Sequence, residues 1–213
     1  MAHIVAVGIA LISTTLFTFK LFPKYNCEKE FVYTSSVKIC IIEEKFANAF
    51  VSFNSVKNND TVIFVTKKLI EEFENRNISK EEFEAIIEHE MNHLKKKHLL
   101  FIFPINFIVL FVFILFVVEI FVIIIKSIIL NKYSIIEFLI LLVLFSLNYF
   151  VNYSVSIFVK KLELEADNVG EYKKYYLAKA LLKLSEINGT PLYFDGKSHP
   201  SVEKRIQKLL EER

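Results

Sequence analysis

Two histidines and a glutamate occur in the order H-E-x-x-H at residues 89–93, inside the run "AIIEHEMNHLKKKH". On a helix His89 and His93 are i and i+4, so their imidazoles lie one turn apart on the same side and one ion can touch both. Glu90 between them can reach a water on such an ion without being a ligand, and so act as general base for hydrolysis. A catalytic zinc site needs a third protein ligand and one open position. His199 is one candidate, and the run "ELEAD" supplies Glu163, Glu165 and Asp167. Glu163 and Asp167 share a helical face while Glu165 points elsewhere, so one carboxylate can bind metal and the other can hold a ligand imidazole in its tautomer. A solvated charge run at a helix start is the plain alternative for this cluster. His98, five residues past His93, falls off the ligand face and reads as an interfacial residue beside Lys95, Lys96 and Lys97.

These residues need elements to hold them. Ser79 followed by Glu82 predicts a capping box, with Glu81, Glu82 and Glu84 in the first turn of the helix that carries the histidines. Phe83, Ile86, Ile87 and Leu94 form its apolar stripe. Thr66 begins a shorter helix in "TKKLIEEFENR". Upstream, "FVYTSSVKICIIEE", "NAFVSF" and "TVIFVT" alternate and are rich in β-branched residues, with the turn-rich "NSVKNND" between the last two, which predicts a small antiparallel sheet. Downstream, "KKLELEADNVGEYKKYYLAKALLKLSEI" is helical, and "SHPSVEKRIQKLLEER" ends the chain as a short helix with Ser201 as its cap.

The chain has 213 residues, 54% of them hydrophobic, with 22 Phe and a mean hydropathy of +0.41. The apolar residues are concentrated. Residues 99–125 and 135–159 contain little charge besides Glu119 and Glu137, and each exceeds the roughly 20 residues that span a hydrocarbon core. A third apolar stretch, residues 4–19, follows a start without a positive n-region and precedes no A-x-A site, so it is expected to be an uncleaved anchor and not a secretory signal. The expected organisation is an anchor at 1–19, a first catalytic part at 20–98, a transmembrane helical hairpin at 99–159 and a second catalytic part at 160–213. Segments 20–98 and 160–213 hold 24 of the 26 Lys and Arg residues, which predicts that they face the cytoplasm and that the protein is a multi-pass cell-membrane protein. Cys27 and Cys40 are then expected as free thiols. Glu119 and Glu137 sit in or at the edge of the spans, where a carboxylate is costly and a functional candidate; exposure at the lipid headgroups or snorkelling is the expected reading, a functional role the alternative. A net charge of +2 with lysines and glutamates interleaved excludes a nucleic-acid role. The sequence leaves the oligomeric state open.

Taken together, "NAF" at 48–50, "HEMNH" at 89–93, an apolar hairpin, "ELEAD" at 163–167 and "SHPSVEKRIQKL" from Ser198 resemble, in order and separation, the membrane-embedded zinc metallopeptidases of the HtpX and CAAX prenyl protease family. The resemblance implies one catalytic zinc ion held by His89, His93 and Glu163, with Asp167 supporting a ligand and Glu90 as the base. It also implies that Asn48, Ala49 and Phe50 lie on an edge strand that grips substrate backbone, and that His199 stabilises the oxyanion. The expected fold is a mainly α integral membrane protein with a small antiparallel β-sheet, a zincin-like catalytic domain interrupted by the hairpin. The implied activity is endopeptidase action on membrane-associated or misfolded proteins, with the lipid bilayer as the other partner. A non-catalytic membrane receptor or regulator with a zinc-stabilised domain is the alternative, though a purely structural site needs no glutamate between its histidines. Three departures from the family pattern stand out. Lys160 replaces the usual arginine, the loop after "NAF" has no glycine, and a single apolar segment precedes the catalytic part.

Overall fold

The computed structural model describes residues 2–20, 25–35, 37–52, 56–57, 60–130 and 134–211; part of the expected "NSVKNND" turn lies outside them. The described chain is mostly helical. Helix α1 (Ala2–Lys20) precedes strands β1 (Lys29–Thr34), β2 (Val37–Ile42), β3 (Ala49–Phe50), β4 (Val56–Lys57) and β5 (Asp60–Thr66). Helices α2 (Lys67–Glu74), α3 (Lys80–Lys95), α4 (His98–Leu130), α5 (Ile135–Ala166), α6 (Glu171–Ile187) and α7 (Val202–Glu211) follow. The chain divides into two compact units, one of residues 1–23 and 100–157, the other of residues 24–99 and 158–213.

In the second unit the strand order is β1-β2-β5-β3, with β4 also on β5. The sheet is mixed, which corrects the expected antiparallel one. β2 runs parallel to β5, with Ile39 beside Ile63 and Ile41 beside Val65, while β1–β2 and β3–β5 are antiparallel. The alternation of side chains along a strand shows only which faces are buried, and both directions of pairing satisfy it. Val37, Ile39, Ile63 and Val65 bury one face against Ile78, Phe83, Ile86, Ile87 and Ala180. Cys40, Ile42 and Phe64 fill the opposite face with Tyr25 and Phe50. There Cys27 and Cys40, expected as free thiols, are joined as a disulfide, their Cα atoms 5.4 Å apart. The antiparallel β1–β2 pair brings the chain just before Lys29 alongside Ile41, within normal disulfide reach.

The helix ends follow the sequence. Thr66 caps α2 by accepting from the Leu69 N–H, and Ser79 with Glu82 forms the reciprocal capping box of α3. Glu82 is buried and also meets Lys183 of α6 at 2.7 Å. Ser201 caps α7, its Oγ 3.3 Å from the Lys204 N–H. Helix α6 packs along α3 through a cluster of Ala85, Val169, Leu177, Ala178, Leu181 and Leu209.

The first unit is built from α1 and the apolar parts of α4 and α5, and its large apolar side chains are mostly exposed, among them Phe113, Phe121, Phe138 and Phe145. Two helices, His98–Ile129 and Ile135–Ala166, are long and apolar enough to cross a membrane; α1 contributes a shorter apolar helix, His3–Thr15. Glu119 and Glu137, expected to be exposed to headgroups or to snorkel, are buried and each is paired within this unit. Glu119 meets His3 Nδ1 at 2.9 Å, and Glu137 pairs with Lys126. A carboxylate in apolar surroundings is costly unless it is partnered, and these contacts supply the partners.

Candidate metal centre and active site

Helix α3 presents His89, Glu90 and His93 inward, all buried. Asn92, on the same helix, donates from Nδ2 to the Ala166 and Asn168 carbonyl oxygens at 3.0 and 3.1 Å. Lys96 Nζ reaches the Glu165 carbonyl oxygen at 2.5 Å. Glu88 accepts from the Gly170 N–H at 3.0 Å and pairs with Lys173 at 2.8 Å. These contacts hold the end of α5 and the turn after it against α3. They thereby bring Glu163, on the last turn of α5, to the two histidines.

The three expected ligands converge. His89 Nε2 and His93 Nε2 are 3.2 Å apart, and Glu163 places Oε2 3.6 Å from His89 Nε2 and Oε1 3.4 Å from His93 Nε2. Ligand atoms held about 2.0–2.1 Å from one tetrahedral ion stand about 3.3 Å from each other. The donor set of two imidazoles and one carboxylate, buried and at this spacing, therefore fits a zinc ion and leaves a fourth position. Glu90 lies beside them, Oε1 3.9 Å from His89 Nε2.

Asp167 places Oδ1 2.9 Å from His89 Nδ1, though off the straight hydrogen-bond direction, and that nitrogen has no other polar partner. Asp167 is itself clamped by Arg205 of α7, whose Nε and Nη2 donate at 2.8 and 2.5 Å. Sequence reasoning missed Arg205. A basic residue in a charged C-terminal helix looks like a solvated one, and only burial together with the fork geometry marks it. His199 is exposed, with Nδ1 3.0 Å from Glu163 Oε2. Lys160 pairs with Asp195 at 2.9 Å, and Asp195 also pairs with Lys204.

The expected substrate strand is placed as follows. The Asn48 backbone exchanges hydrogen bonds with Thr66. Ala49 is buried in the core, and the Phe50 ring stacks on Phe64 at 5.6 Å. The Asn188 side chain brackets Ala47, accepting from its N–H at 2.8 Å and donating to its oxygen at 2.9 Å. The side chains of residues 49 and 50 thus build the sheet, and β3 ends the strand order.

The electrostatics separate the buried groups. Burial pushes Glu90 up to about 7, with the charge on His89 opposing and that on Glu163 adding. Burial pulls His93 down to about 4, against the attraction of Glu163, so it is a neutral imidazole ready to lend a lone pair. For His89 burial alone would lower the pKa, but contacts with Asp167 and Glu163 prevail and raise it to about 9. Burial would raise Asp167, yet Arg205 and His89 hold it at about 2.

No curated protein matches the chain. The family model described as peptidase family M48, whose members are zinc-dependent metallopeptidases, matches residues 25–213. That span takes in α3, the end of α5 and α7, the elements that bring the histidines, Glu163 and Arg205 together. The chain belongs to peptidase family M48, which contains the HtpX-like and Ste-type metallopeptidases.

Proposed function

We propose that the protein is an integral-membrane zinc endopeptidase that hydrolyses peptide bonds of membrane-associated or misfolded proteins. The observation that carries this reading is the convergence of His89, His93 and Glu163 with Glu90 buried beside them. His89, His93 and Glu163 would hold the ion. Once bound, it supplies Lewis-acid polarisation of the scissile carbonyl and acidifies a water. Glu90, held near 7 by burial, takes the proton of the attacking water and delivers it to the departing amine nitrogen. Asp167 keeps the proton of His89 on Nδ1, so that Nε2 faces the ion. His199 has Nδ1 occupied by Glu163, which leaves Nε2 to meet the carbonyl oxygen as charge develops there. An extended peptide adds to the sheet beside residues 48–50, where backbone pairing grips a chain with little regard to its sequence.

The apolar helices α4 and α5 and the family's membrane-bound members support insertion in a bilayer. The Lys and Arg distribution supports catalytic segments on the cytoplasmic side. The Cys27–Cys40 pair supports the opposite side, an oxidising compartment. Impermeant thiol labelling after reduction, in intact cells and in inverted vesicles, decides between them.

The catalytic test uses protein purified in detergent and an unfolded protein as substrate. Glu90→Gln is expected to keep one zinc per chain and to lose activity by about 10²–10⁴-fold. Equal cleavage by wild type and Glu90→Gln would leave the non-catalytic, zinc-stabilised reading standing. Glu163→Ala is expected to lose the zinc; stoichiometric retention would move the third ligand elsewhere.

A further inference from the structure

His98 was expected off the ligand face, at an interface. It is instead 1% exposed, with its ring edge-on to His93, centroids 5.0 Å apart. Its Nδ1 lies 3.0 Å from His93 Nδ1. In a continuous helix a residue five positions on is rotated by about 140° and could not meet His93 this way. The helix is not continuous. α3 ends at Lys95, Lys96 caps it by donating to the Asn92 carbonyl, and Lys97 takes a positive φ of 56°. That left-handed residue breaks the helical rotation, so His98, the first residue of α4, meets the ring of His93.

Two nitrogens 3.0 Å apart share one proton, with one donor and one acceptor. His93 Nε2 sits among the metal donors, so its lone pair is committed there and its proton must be on Nδ1. His98 Nδ1 must then be bare and accept. A neutral His98 carries its own proton on Nε2, a buried atom with no hydrogen-bond partner. The nearest carboxylate oxygen to it is Glu165 Oε2 at 3.7 Å, on a side chain 41% exposed and able to turn toward it.

We infer that His98 is a positioning residue of the metal centre: it accepts the Nδ1 proton of His93 and so directs His93 Nε2 to the ion, while Glu165 holds the proton on His98 Nε2. His89 has its own support in Asp167 and Arg205, so the two histidine ligands are oriented by different means, one by a carboxylate clamped by a guanidinium and the other by an imidazole backed by a carboxylate. This inference rests on the zinc reading above.

The test compares two nearly isosteric replacements in the full-length protein in detergent. His98→Asn puts an acceptor oxygen near the place of Nδ1, whereas His98→Leu fills the same volume without one. Zinc affinity is measured by competition with a chromogenic chelator, and the cobalt-substituted protein is examined by visible absorption. His98→Leu is expected to bind zinc about 10–100-fold more weakly, the usual loss when such a support is removed, and to shift the cobalt bands. His98→Asn is expected to recover most of the affinity and the wild-type spectrum. Equal zinc affinities for Leu and Asn, whether both weakened or both unchanged, overturn the inference, because lost ring volume affects both alike. Should either replacement fail to fold, Glu165→Ala at its half-exposed site, which removes the acceptor altogether, takes over the test; a weaker affinity is expected, and an unchanged one overturns the relay. Failure of the zinc reading looks different: wild type binds no zinc, or Glu163→Ala binds it as wild type does.

Discussion

At the scale of single residues, the pairing of Asp167 with Arg205 makes a prediction that needs no metal. Asp167 is held at about 2 in the folded protein, below the roughly 3.9 of an unfolded aspartate. A depressed carboxylate stabilises the fold above its unfolded pKa, and the contribution is lost as pH falls through the folded value. For the metal-free protein the contribution is about 2–3 kcal/mol near neutrality, lost between about pH 4 and pH 2. Asp167→Asn removes this dependence and leaves a guanidinium buried without its counter-charge, at a cost of about 3–5 kcal/mol. Chemical denaturation of wild type and variant in detergent at pH 7, 4 and 3 measures both effects. A wild-type curve no steeper in acid than the variant's would show that the pair is not what holds α7 to the end of α5.

At the scale of elements, α3 carries most of the information. Its capping box is worth about 1 kcal/mol, so Ser79→Ala should lower stability by that amount while leaving zinc stoichiometry unchanged. Ile87 is fully buried between sheet and helix, and Ile87→Ala should cost about 2–5 kcal/mol, the range for a large-to-small change in a packed core. The left-handed Lys97 that ends the α3 segment behaves differently. Lys97→Gly relieves the steric cost of positive φ and is expected to match or exceed wild-type stability. Lys97→Val, β-branched at the same angle, should lose about 1–3 kcal/mol. Thermal melts of the three proteins rank them. If Val were tolerated as well as Gly, the left-handed backbone at residue 97 would not be the constraint that places His98.

At the scale of the whole molecule, the unit that carries His89, His93 and Glu163 is assembled from two stretches of chain, residues 24–99 and 158–213, separated in sequence by the apolar helices. Many Phe and Ile side chains of α4 and α5 are exposed, and exposed apolar patches mark interaction or membrane surfaces. The protein is therefore expected to stay with the membrane after an alkaline carbonate wash and to be released only by detergent. Recovery in the aqueous wash would sink the integral-membrane reading. Removing zinc with a chelator should abolish cleavage, and restoring one equivalent per chain should return it.

The sequence by itself determined the parts set by local chemistry. Ser79 with Glu82, and Thr66, are capping signals because the donors they satisfy lie within three residues. The i, i+4 spacing of His89 and His93 puts two imidazoles on one face for the same reason, and the apolar runs at 99–125 and 135–159 announce long helices by length alone. Only the tertiary structure decided the rest. The parallel pairing of β2 with β5 was invisible because strand alternation does not encode direction. The Cys27–Cys40 bond and the pairing of Glu119 and Glu137 depend on neighbours far apart in sequence or across a helix interface. Arg205 and His98 looked like ordinary charged and interfacial residues until burial and one left-handed backbone angle put them against Asp167 and His93. Helical periodicity describes a residue's surroundings only as long as the helix continues, and at Lys97 it does not.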